Sequence, residues 1–335
     1  MDHHLVLPPL RHEAALLPPP PGSRLIRLHG ESMGTGWSLS VYAPPGLSEA
    51  DLRALTGREL AAILALFSPW QAESEISQLN RDPREDLQVS PAFAALLGPM
   101  LDLARASNGA SDPTLGTLVD LWGFGPAGRR SGLPPAEKIA AARAVSGWQR
   151  VSFDPLSGRL QRPCGMRFDF SGSAKGLAAD QISAALSRAG AGHHLIEIGG
   201  ECYARGLKPD LQPWWLAVET PEPALPGWRV ALYGMGLASS GAAQNCFFHA
   251  GRRYAHSIDP ATGWPCQAGP VSVTVLAQTC CEADALATAL MVLPLAARTA
   301  FIARRGLSAL IFEADGRVSP SPLWAAMTKD DDAQP

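Results

Sequence analysis

The pattern of apolar and polar residues predicts a protein in which strands and helices are mixed. Apolar and polar positions alternate over residues 24–30 and 37–43, which is typical of two half-buried strands. Later strand patterns cover residues 195–198, 214–219, 228–233, 271–277 and 309–313. Because strands and helices do not alternate strictly, this order favours an α+β fold, with mixed or antiparallel sheets layered with helices, over a doubly wound parallel sheet.

Capping residues mark where several helices begin. Ser48 is a candidate N-cap for a helix that extends to Phe67. Ser90 followed by Pro91 begins a second helix, since proline is well tolerated at the first helical position. The remaining helical patterns cover residues 135–145, 174–188, 282–292 and 295–304.

Composition narrows the classes of function. The chain has 335 residues, of which 46% are hydrophobic, and a formal net charge of −3. That charge excludes the strongly basic surface that nonspecific nucleic-acid binding requires. The six cysteines show no C-x-x-C motif and no other metal-ligand spacing. We expect the adjacent Cys280 and Cys281 to be structural, in or beside a buried strand end, rather than a redox pair.

The two ends of the chain differ in composition from the part between them. We expect the proline-rich residues 1–23 to be a flexible leader and residues 326–335 to be a disordered acidic tail. Residues 24–325 are expected to form one domain, either as a single unit or as two lobes around a cleft. Neither a secretory signal nor a lipid-attachment cysteine nor an apolar run long enough to span a bilayer is visible, which predicts a cytoplasmic protein.

Two oxygen-bearing side chains share one face of the helix predicted at 282–292. Asp284 and Thr288 are four residues apart, so their side chains lie one turn apart. A carboxylate and a hydroxyl are hard ligands that suit Mg²⁺ or Ca²⁺. The alternative is structural, because the helix dipole alone favours an aspartate near a helix N-terminus.

A candidate anion site lies at a strand-to-helix junction. The segment from Asp169 to Gly176 is rich in small residues and includes Lys175. Such a junction presents backbone N–H groups to an anion, and the lysine adds a positive charge suited to phosphate. The segment lacks the Walker A pattern, and an ordinary turn with an exposed lysine is the alternative.

Three further positions are candidates for catalysis or ligand contact. His256 precedes a predicted turn at Asp259-Pro260, so it is either a general base held in place or a structural histidine. Trp70 offers a surface on which a planar ring can stack, or else it is a core residue. The segment 110–112 is a turn motif that ends in a possible polar contact.

Taken in order, these motifs resemble those of one known family. The series runs from Met33-Gly34-Thr35 through Asp112-Pro-Thr, Leu121-Trp122-Gly-Phe-Gly, Ala174-Lys175-Gly176, Ile198-Gly-Gly200 and His256 with Asp259-Pro-Ala-Thr-Gly263 to Asp284 and Thr288. It resembles the ApbE family, the FAD:protein FMN transferases, over about residues 25–315. The resemblance implies an ApbE-like, T-fold-like α+β architecture.

The resemblance also implies a reaction and a set of site residues. The enzyme would take FAD as its substrate, attach FMN to a threonine or serine hydroxyl of an acceptor protein, release AMP and require Mg²⁺. The implied metal ligands are Asp284, Thr288 and the backbone carbonyl of Gly172, and either His256 or Asp284 would accept the proton. The implied FAD-site residues are Met33, Trp70, Ala110, Ser111, Asp112, Asp169, Lys175 and Ile258. An FAD pyrophosphatase that releases FMN and AMP, and a non-catalytic FAD-binding protein, are the alternatives.

Overall fold

An eight-stranded antiparallel sheet lies at the centre of the computed structural model. The structure describes residues 3–9, 17–129, 132–222, 225, 227–241, 245–267 and 269–330. Its strands are β1 His3–Val6, β2 Arg24–Ser32, β3 Thr35–Ala43, β4 Asp86–Gln88, β5 Ser152–Asp154, β6 Arg159–Gln161, β7 His194–Ile198, β8 Glu201–Arg205, β9 Trp214–Val218, β10 Gly227–Leu232, β11 Gly234–Gly241, β12 Cys246–His249, β13 Arg252–Ala255, β14 Ile258–Asp259, β15 Trp264–Pro265, β16 Ser272–Ala277, β17 Ser308–Phe312, β18 Val318–Pro320 and β19 Thr328–Asp330.

The helices lie between these strands in the chain. They are α1 Glu49–Phe67, α2 Glu75–Arg81, α3 Pro91–Ala106, α4 Gly116–Leu121, α5 Ala136–Val145, α6 Ala174–Arg188, α7 Cys280–Val292, α8 Leu295–Arg305 and α9 Pro322–Ala326. The central sheet has the strand order β18-β17-β16-β11-β8-β7-β3-β2. This arrangement confirms the prediction of an α+β fold in which antiparallel sheets are layered with helices. No helix in the described ranges has the length and apolar character needed to cross a bilayer.

Two tight hairpin turns lie side by side at one end of the central sheet. Met33 and Gly34 join β2 to β3 with φ values of 54° and 74°, which is typical of a type I′ turn. Gly199 and Gly200 join β7 to β8 with φ values of 61° and 98°. The Gly199 N–H donates to the carbonyl of Gly36 at 3.1 Å, so both turns and the residues after them lie at the same end of the sheet.

The main hydrophobic core lies between the sheet and helices α1, α6 and α7. Helix α1 begins with a capping box: Asp51 N–H donates to Ser48 Oγ at 3.1 Å, and the Asp51 carboxylate accepts from Ser48 N–H at 2.9 Å. The predicted Ser48 cap is therefore confirmed. Buried leucines of α1 contribute to this core, so α1 lies in the same helical layer as α6 and α7.

Close backbone packing fixes the first turn of α7. A Cβ atom added to Gly176 of α6 would overlap the Cys280 carbonyl, and one added to Gly236 of β11 would overlap the Cys280 N–H. Only glycine therefore fits at these two crossings. Since Cys280 is the first residue of α7, the packing sets where Asp284 and Thr288 lie.

A second, four-stranded sheet has the order β19-β1-β10-β9 and brings the two ends of the chain together. Strand β1 pairs parallel to β10 and antiparallel to β19. The structure differs here from the expectation of a flexible leader and tail, because Val6 is fully buried in a second hydrophobic core and thereby secures the strand. The other parts of those predicted segments, residues 1–2, 10–16 and 331–335, lie outside the described residues.

Candidate active site

The candidate site is built on the first three turns of α7, and α6 holds that helix in place. The carboxylate of Asp180 accepts hydrogen bonds from the N–H groups of Cys280 at 2.8 Å and Cys281 at 2.9 Å. A carboxylate at a helix N-terminus satisfies donors that lack helical partners. Burial raises the pKa of Asp180 to about 6. Asp180 therefore couples the position of α7 to that of α6.

Asp284 faces the first turn of α6. Its side chain is 3% exposed, and its Oδ2 accepts a hydrogen bond from Gly176 N–H at 3.2 Å. Burial raises the pKa of this carboxyl, while the charge of Lys175 and the bond from Gly176 oppose the shift. A divalent cation would favour the ionised form in the same way.

Thr288 faces the loop before α6. A Cβ atom added to Gly172 would lie 2.6 Å from Thr288 Oγ1, so the loop and the hydroxyl are in close contact. No backbone N–H in the described chain donates to the Gly172 carbonyl, because Gly176 N–H bonds Asp284 instead. An unpaired carbonyl, a hydroxyl and a carboxylate therefore lie at one end of α6.

These three oxygens fit a hard divalent cation. Mg²⁺ takes oxygen ligands and characteristically binds through one or two carboxylates together with waters and substrate phosphates. Within the described ranges, no three His, Cys, Asp or Glu side chains are grouped so as to hold a metal. The carboxylate, the hydroxyl and the carbonyl are therefore at most a partial ligand set, suited to an ion that a phosphate helps to bind.

Lys175 and Glu201 form an ion pair beside Asp284. Lys175 Nζ lies 2.6 Å from Glu201 Oε1; the lysine side chain is 28% exposed and the glutamate 3%. Burial raises the pKa of Glu201 and the charge of Asp284 raises it further, against the attraction of Lys175. Burial alone would lower the pKa of Lys175, but Asp284 and Glu201 outweigh it and raise that pKa. The lysine therefore stays charged.

His256 is close enough to Lys175 for the lysine charge to affect the pKa of its imidazole. Burial lowers the pKa of its imidazole, and the positive charge of Lys175 also lowers it. Its backbone N–H donates to the Asn245 carbonyl at 3.0 Å, while the buried Nδ1 has no hydrogen-bond partner in the described chain. The ring is held edge-on to Phe124 with the centroids 6.4 Å apart. His256 is thus a buried imidazole whose pKa is lowered and whose Nδ1 has no hydrogen-bond partner in the described chain.

The turn after His256 forms as the sequence indicates. The Asp259 carboxylate accepts from Ala261 N–H and from the Thr262 hydroxyl, each at 2.9 Å. Gly263 has a φ of 73° and donates its N–H to the Asp259 carbonyl at 2.7 Å. Ile258, at the start of this turn, is 4% exposed and packs in a separate hydrophobic cluster that includes Trp122 and Tyr254.

The segment 110–114 lies next to Asp169. Asp169 N–H donates to the Pro113 carbonyl at 2.8 Å, and the Asp169 carboxylate accepts from Ser171 N–H at 2.9 Å. Burial raises the pKa of Asp169 and also that of Asp112. Asp112 accepts from Trp148 N–H at 3.0 Å, so its carboxylate anchors the segment to the protein itself.

The other residues that the resemblance implies for the FAD site differ in setting. Ala110 is buried, and Ser111 N–H donates to Ser107 Oγ at 3.3 Å. Met33 holds a positive φ, which strains a residue with a side chain. Trp70 is 62% exposed, so its interpretation as a core residue is wrong. No aromatic ring contact within the described residues joins Trp70 to the other predicted site residues.

Three residues that support this site were not predicted as site residues from the sequence. Glu201 pairs with Lys175, and Asp180 caps α7. Asn80 of α2 holds the segment before Asp169, because its side chain donates to the Phe168 carbonyl at 2.8 Å and accepts from Phe168 N–H at 2.7 Å. This segment forms only an isolated bridge at Arg167, so the expected strand before the junction is wrong. Each of these three polar residues lies inside or next to a motif of the family, and that position is the signal by which the sequence could have identified them.

Comparison with known proteins agrees with the motif series. The ApbE family model matches residues 33–311. A protein of Haemophilus influenzae named FAD:protein FMN transferase is 35% identical over 288 residues, which are 81% of this chain and 81% of that protein. A protein of Klebsiella pneumoniae with the same name is 34% identical over 91% of this chain and 89% of its own length.

Solved structures show the same fold. The apo flavinyl transferase ApbE of Pseudomonas stutzeri superimposes with a TM-score of 0.83 at 32% identity and covers 91% of this chain and 97% of its own. The flavin transferase ApbE of Vibrio cholerae gives a TM-score of 0.82 at 29% identity and covers 91% of this chain and 99% of its own. The motif resemblance and the fold class are both confirmed, and the chain belongs to the ApbE family.

Proposed function

We propose that this chain is an enzyme that transfers FMN from FAD to a threonine or serine hydroxyl of an acceptor protein and releases AMP. The relatives named FAD:protein FMN transferase support the transfer of FMN from FAD to protein. The observation that carries the proposal for this chain is the close contact of Gly172 with the Thr288 hydroxyl, with Asp284 one helical turn from Thr288 and bonded to Gly176 N–H. The cytoplasmic location stays a prediction from the sequence.

The reaction exchanges one phosphorus–oxygen bond for another. The hydroxyl oxygen of the acceptor bonds to the FMN phosphorus of FAD, and the bond from that phosphorus to the bridging oxygen breaks. AMP leaves with the electron pair, and the hydroxyl proton passes to a base. Mg²⁺, when bound by Gly172, Asp284 and Thr288, would act as a Lewis acid on the phosphate oxygens.

Lys175 supplies the fixed positive charge in this proposal. Its ammonium stands at the first turn of α6, where helical N–H groups also favour an anion. The diphosphate of FAD carries concentrated negative charge, which moves towards AMP as the bond breaks. Lys175 therefore both binds the diphosphate and stabilises the leaving group.

His256 is the proposed proton acceptor. Burial lowers the pKa of its imidazole, which favours the neutral form that can accept a proton, and Nδ1 has no hydrogen-bond partner in the described chain. Asp284 is the alternative base that the sequence left open. The proposal favours His256 because Asp284 already accepts from Gly176 and serves as the metal ligand.

The proposed FAD contacts follow the family motifs. Asp169 and the segment 110–112 lie together and would hold one end of the nucleotide. Met33 at the hairpin tip, the exposed ring of Trp70 and the chain at Ile258 would contact the rings.

The decisive experiment incubates the purified protein with FAD, Mg²⁺ and an acceptor protein that contains a threonine, and then weighs the acceptor. A mass gain of one FMN supports transfer. Free FMN and AMP without that gain support a pyrophosphatase, and intact bound FAD supports a non-catalytic binder.

D284N tests the metal assignment in the same assay. We expect the rate to fall at least about a hundredfold, because the amide removes the charged ligand. E282Q on the same helix is the control, since Glu282 is partly exposed and only weakly paired, 4.0 Å from Arg305. Full activity in D284N would refute the assignment.

A further inference from the structure

The two partners of the Lys175–Glu201 ion pair differ in exposure. The glutamate side chain is 3% exposed, whereas the lysine side chain is 28% exposed. Glu201 Oε1 bonds the ammonium, while Oε2 is buried with no hydrogen-bond partner in the described chain. A buried carboxylate oxygen without a hydrogen bond destabilises the folded protein. Stability alone therefore does not explain why Glu201 lies at this position.

Glu201 owes its position to the hairpin turn before it. The Gly199-Gly200 turn makes it the first residue of β8, and β8 packs against α6, which carries Lys175. A lysine side chain has four rotatable bonds and pairs with whichever carboxylate is nearest. Two carboxylates, Glu201 and Asp284, act on this ammonium, and the ion pair forms with Glu201.

We infer that Glu201 is a positioning residue that holds the Lys175 ammonium away from Asp284, which leaves the Asp284 carboxylate available to a divalent cation. The inference deepens the proposed function and rests on it. Without Glu201, the ammonium would turn to the remaining carboxylate and compete with the metal. The same pairing fixes the ammonium towards the open side of the site, where the diphosphate would bind.

The test measures metal binding directly, with Mn²⁺ as the probe and electron paramagnetic resonance of free Mn²⁺ as the readout. E201Q preserves the shape of the side chain and removes its charge. We expect its Mn²⁺ affinity to fall about tenfold, as for other residues that orient a metal ligand. We expect kcat for FMN transfer to fall with it, while the KM for FAD changes less.

A matched control is available elsewhere in the molecule. Arg298 and Glu313 form a buried pair with the same 2.6 Å separation, and their side chains are 3% and 10% exposed. E313Q should therefore lower the melting temperature and leave Mn²⁺ affinity at the wild-type value. An E201Q protein that loses stability but keeps wild-type Mn²⁺ affinity would overturn the inference.

A double substitution separates positioning from the charge of Glu201 itself. In a K175M background no ammonium competes for Asp284, so adding E201Q should cause no further loss of Mn²⁺ affinity. A loss of the same size in both backgrounds would mean that Glu201 acts on the metal directly and would overturn the inference. If E201Q does not fold, E201A, which also removes the carboxylate, takes its place, and unchanged Mn²⁺ affinity in folded E201A would likewise overturn the inference. Wild-type protein that neither binds Mn²⁺ nor transfers FMN would overturn the proposed function as well.

Discussion

At the scale of single residues, Gly172 shows how a missing side chain can serve a site. Its backbone conformation is open to other residues, since its φ is not in the left-handed region, so only the neighbouring Thr288 excludes a Cβ there. Gly192 has the same backbone freedom and open space around it. Comparing an alanine substitution at Gly172 with one at Gly192 therefore separates a local steric effect on the site from the general effect of replacing a glycine.

We predict that G172A impairs Mn²⁺ binding and FMN transfer, because the added methyl group displaces the Thr288 hydroxyl. The measurements are Mn²⁺ titration and the mass of the acceptor protein. G192A should behave as wild type in both. Wild-type Mn²⁺ affinity in G172A would show that Gly172 and Thr288 do not hold the metal together.

His194 predicts a pH dependence of stability. It is fully buried between Ser183 Oγ at 2.8 Å and the Ala191 carbonyl at 2.7 Å, and burial lowers its pKa to about 4. The unfolded chain binds a proton below about pH 6.5, whereas the folded chain does not until about pH 4, so stability is lost as pH falls through this window.

We expect this histidine to lower the free energy of unfolding by about 2 kcal/mol between about pH 7 and about pH 5. Urea unfolding of the wild type and H194N at both pH values measures the difference. H193N is the control, since the neighbouring His193 is only half-buried. Equal pH slopes in the wild type and H194N would contradict the expectation.

The sequence predicted the positions of some site residues but not of others. Spacing alone put Asp284 and Thr288 on one face of a helix, because a helix repeats locally. The role of Gly172 came only from the resemblance, since a backbone carbonyl leaves no mark in composition. The partner of Lys175 is 26 residues further along the chain, at Glu201, and only the folded sheet brings the two together.

At the scale of elements, α1 offers a test of helix propensity that does not touch the site. Gly57 lies in the middle of this helix and is exposed, and a Cβ atom added there would meet no other element of the described chain within 4 Å. Alanine loses less backbone entropy in a helix than glycine does. Gly176 of α6 is the opposite case, because the same substitution there meets the backbone of α7.

We predict that G57A stabilises the protein by about 0.5–1 kcal/mol, while G176A destabilises it. Thermal melts of both variants give the comparison, and G57A should keep wild-type transfer activity. A lower melting temperature for G57A would mean that this helix does not have the described exposure.

The elements that the sequence predicted well are those with local signals. The serine caps of α1 and α3 set the helix starts, and both are present with their hydrogen bonds. Strand β11 was missed because its sequence, GMGLASSG, has little strand propensity. It is a strand because β8 and β16 pair with it on both sides and because Gly236 admits α7, which are tertiary effects.

At the scale of the whole molecule, the second core is the part least visible in the sequence. It combines Val6 with Trp228 and Trp324, which come from the beginning, the middle and the end of the chain. Because these residues are far apart in the sequence, no local pattern predicts that they pack together. Strand β1 has only four residues, which is too short for an alternation of apolar and polar positions to predict it.

We predict that V6A lowers the free energy of unfolding by about 2 kcal/mol, because it leaves a cavity in this core. Urea denaturation measures the loss. L7A is the adjacent control, since Leu7 is 44% exposed and should be nearly silent. Equal stability of V6A and wild type would show that β1 contributes nothing to folding.

The pairing of β1 with β19 has a consequence for engineering. His4 faces Asp330 across an antiparallel ladder, so the start and the finish of the described chain are neighbours, about 5 Å apart. A short peptide could join them and allow new termini to be opened in a surface loop. Affinity tags fused directly at residue 3 or at residue 330 would emerge from the same corner of the protein, so moving such a tag from one position to the other would not free a surface that it obstructs.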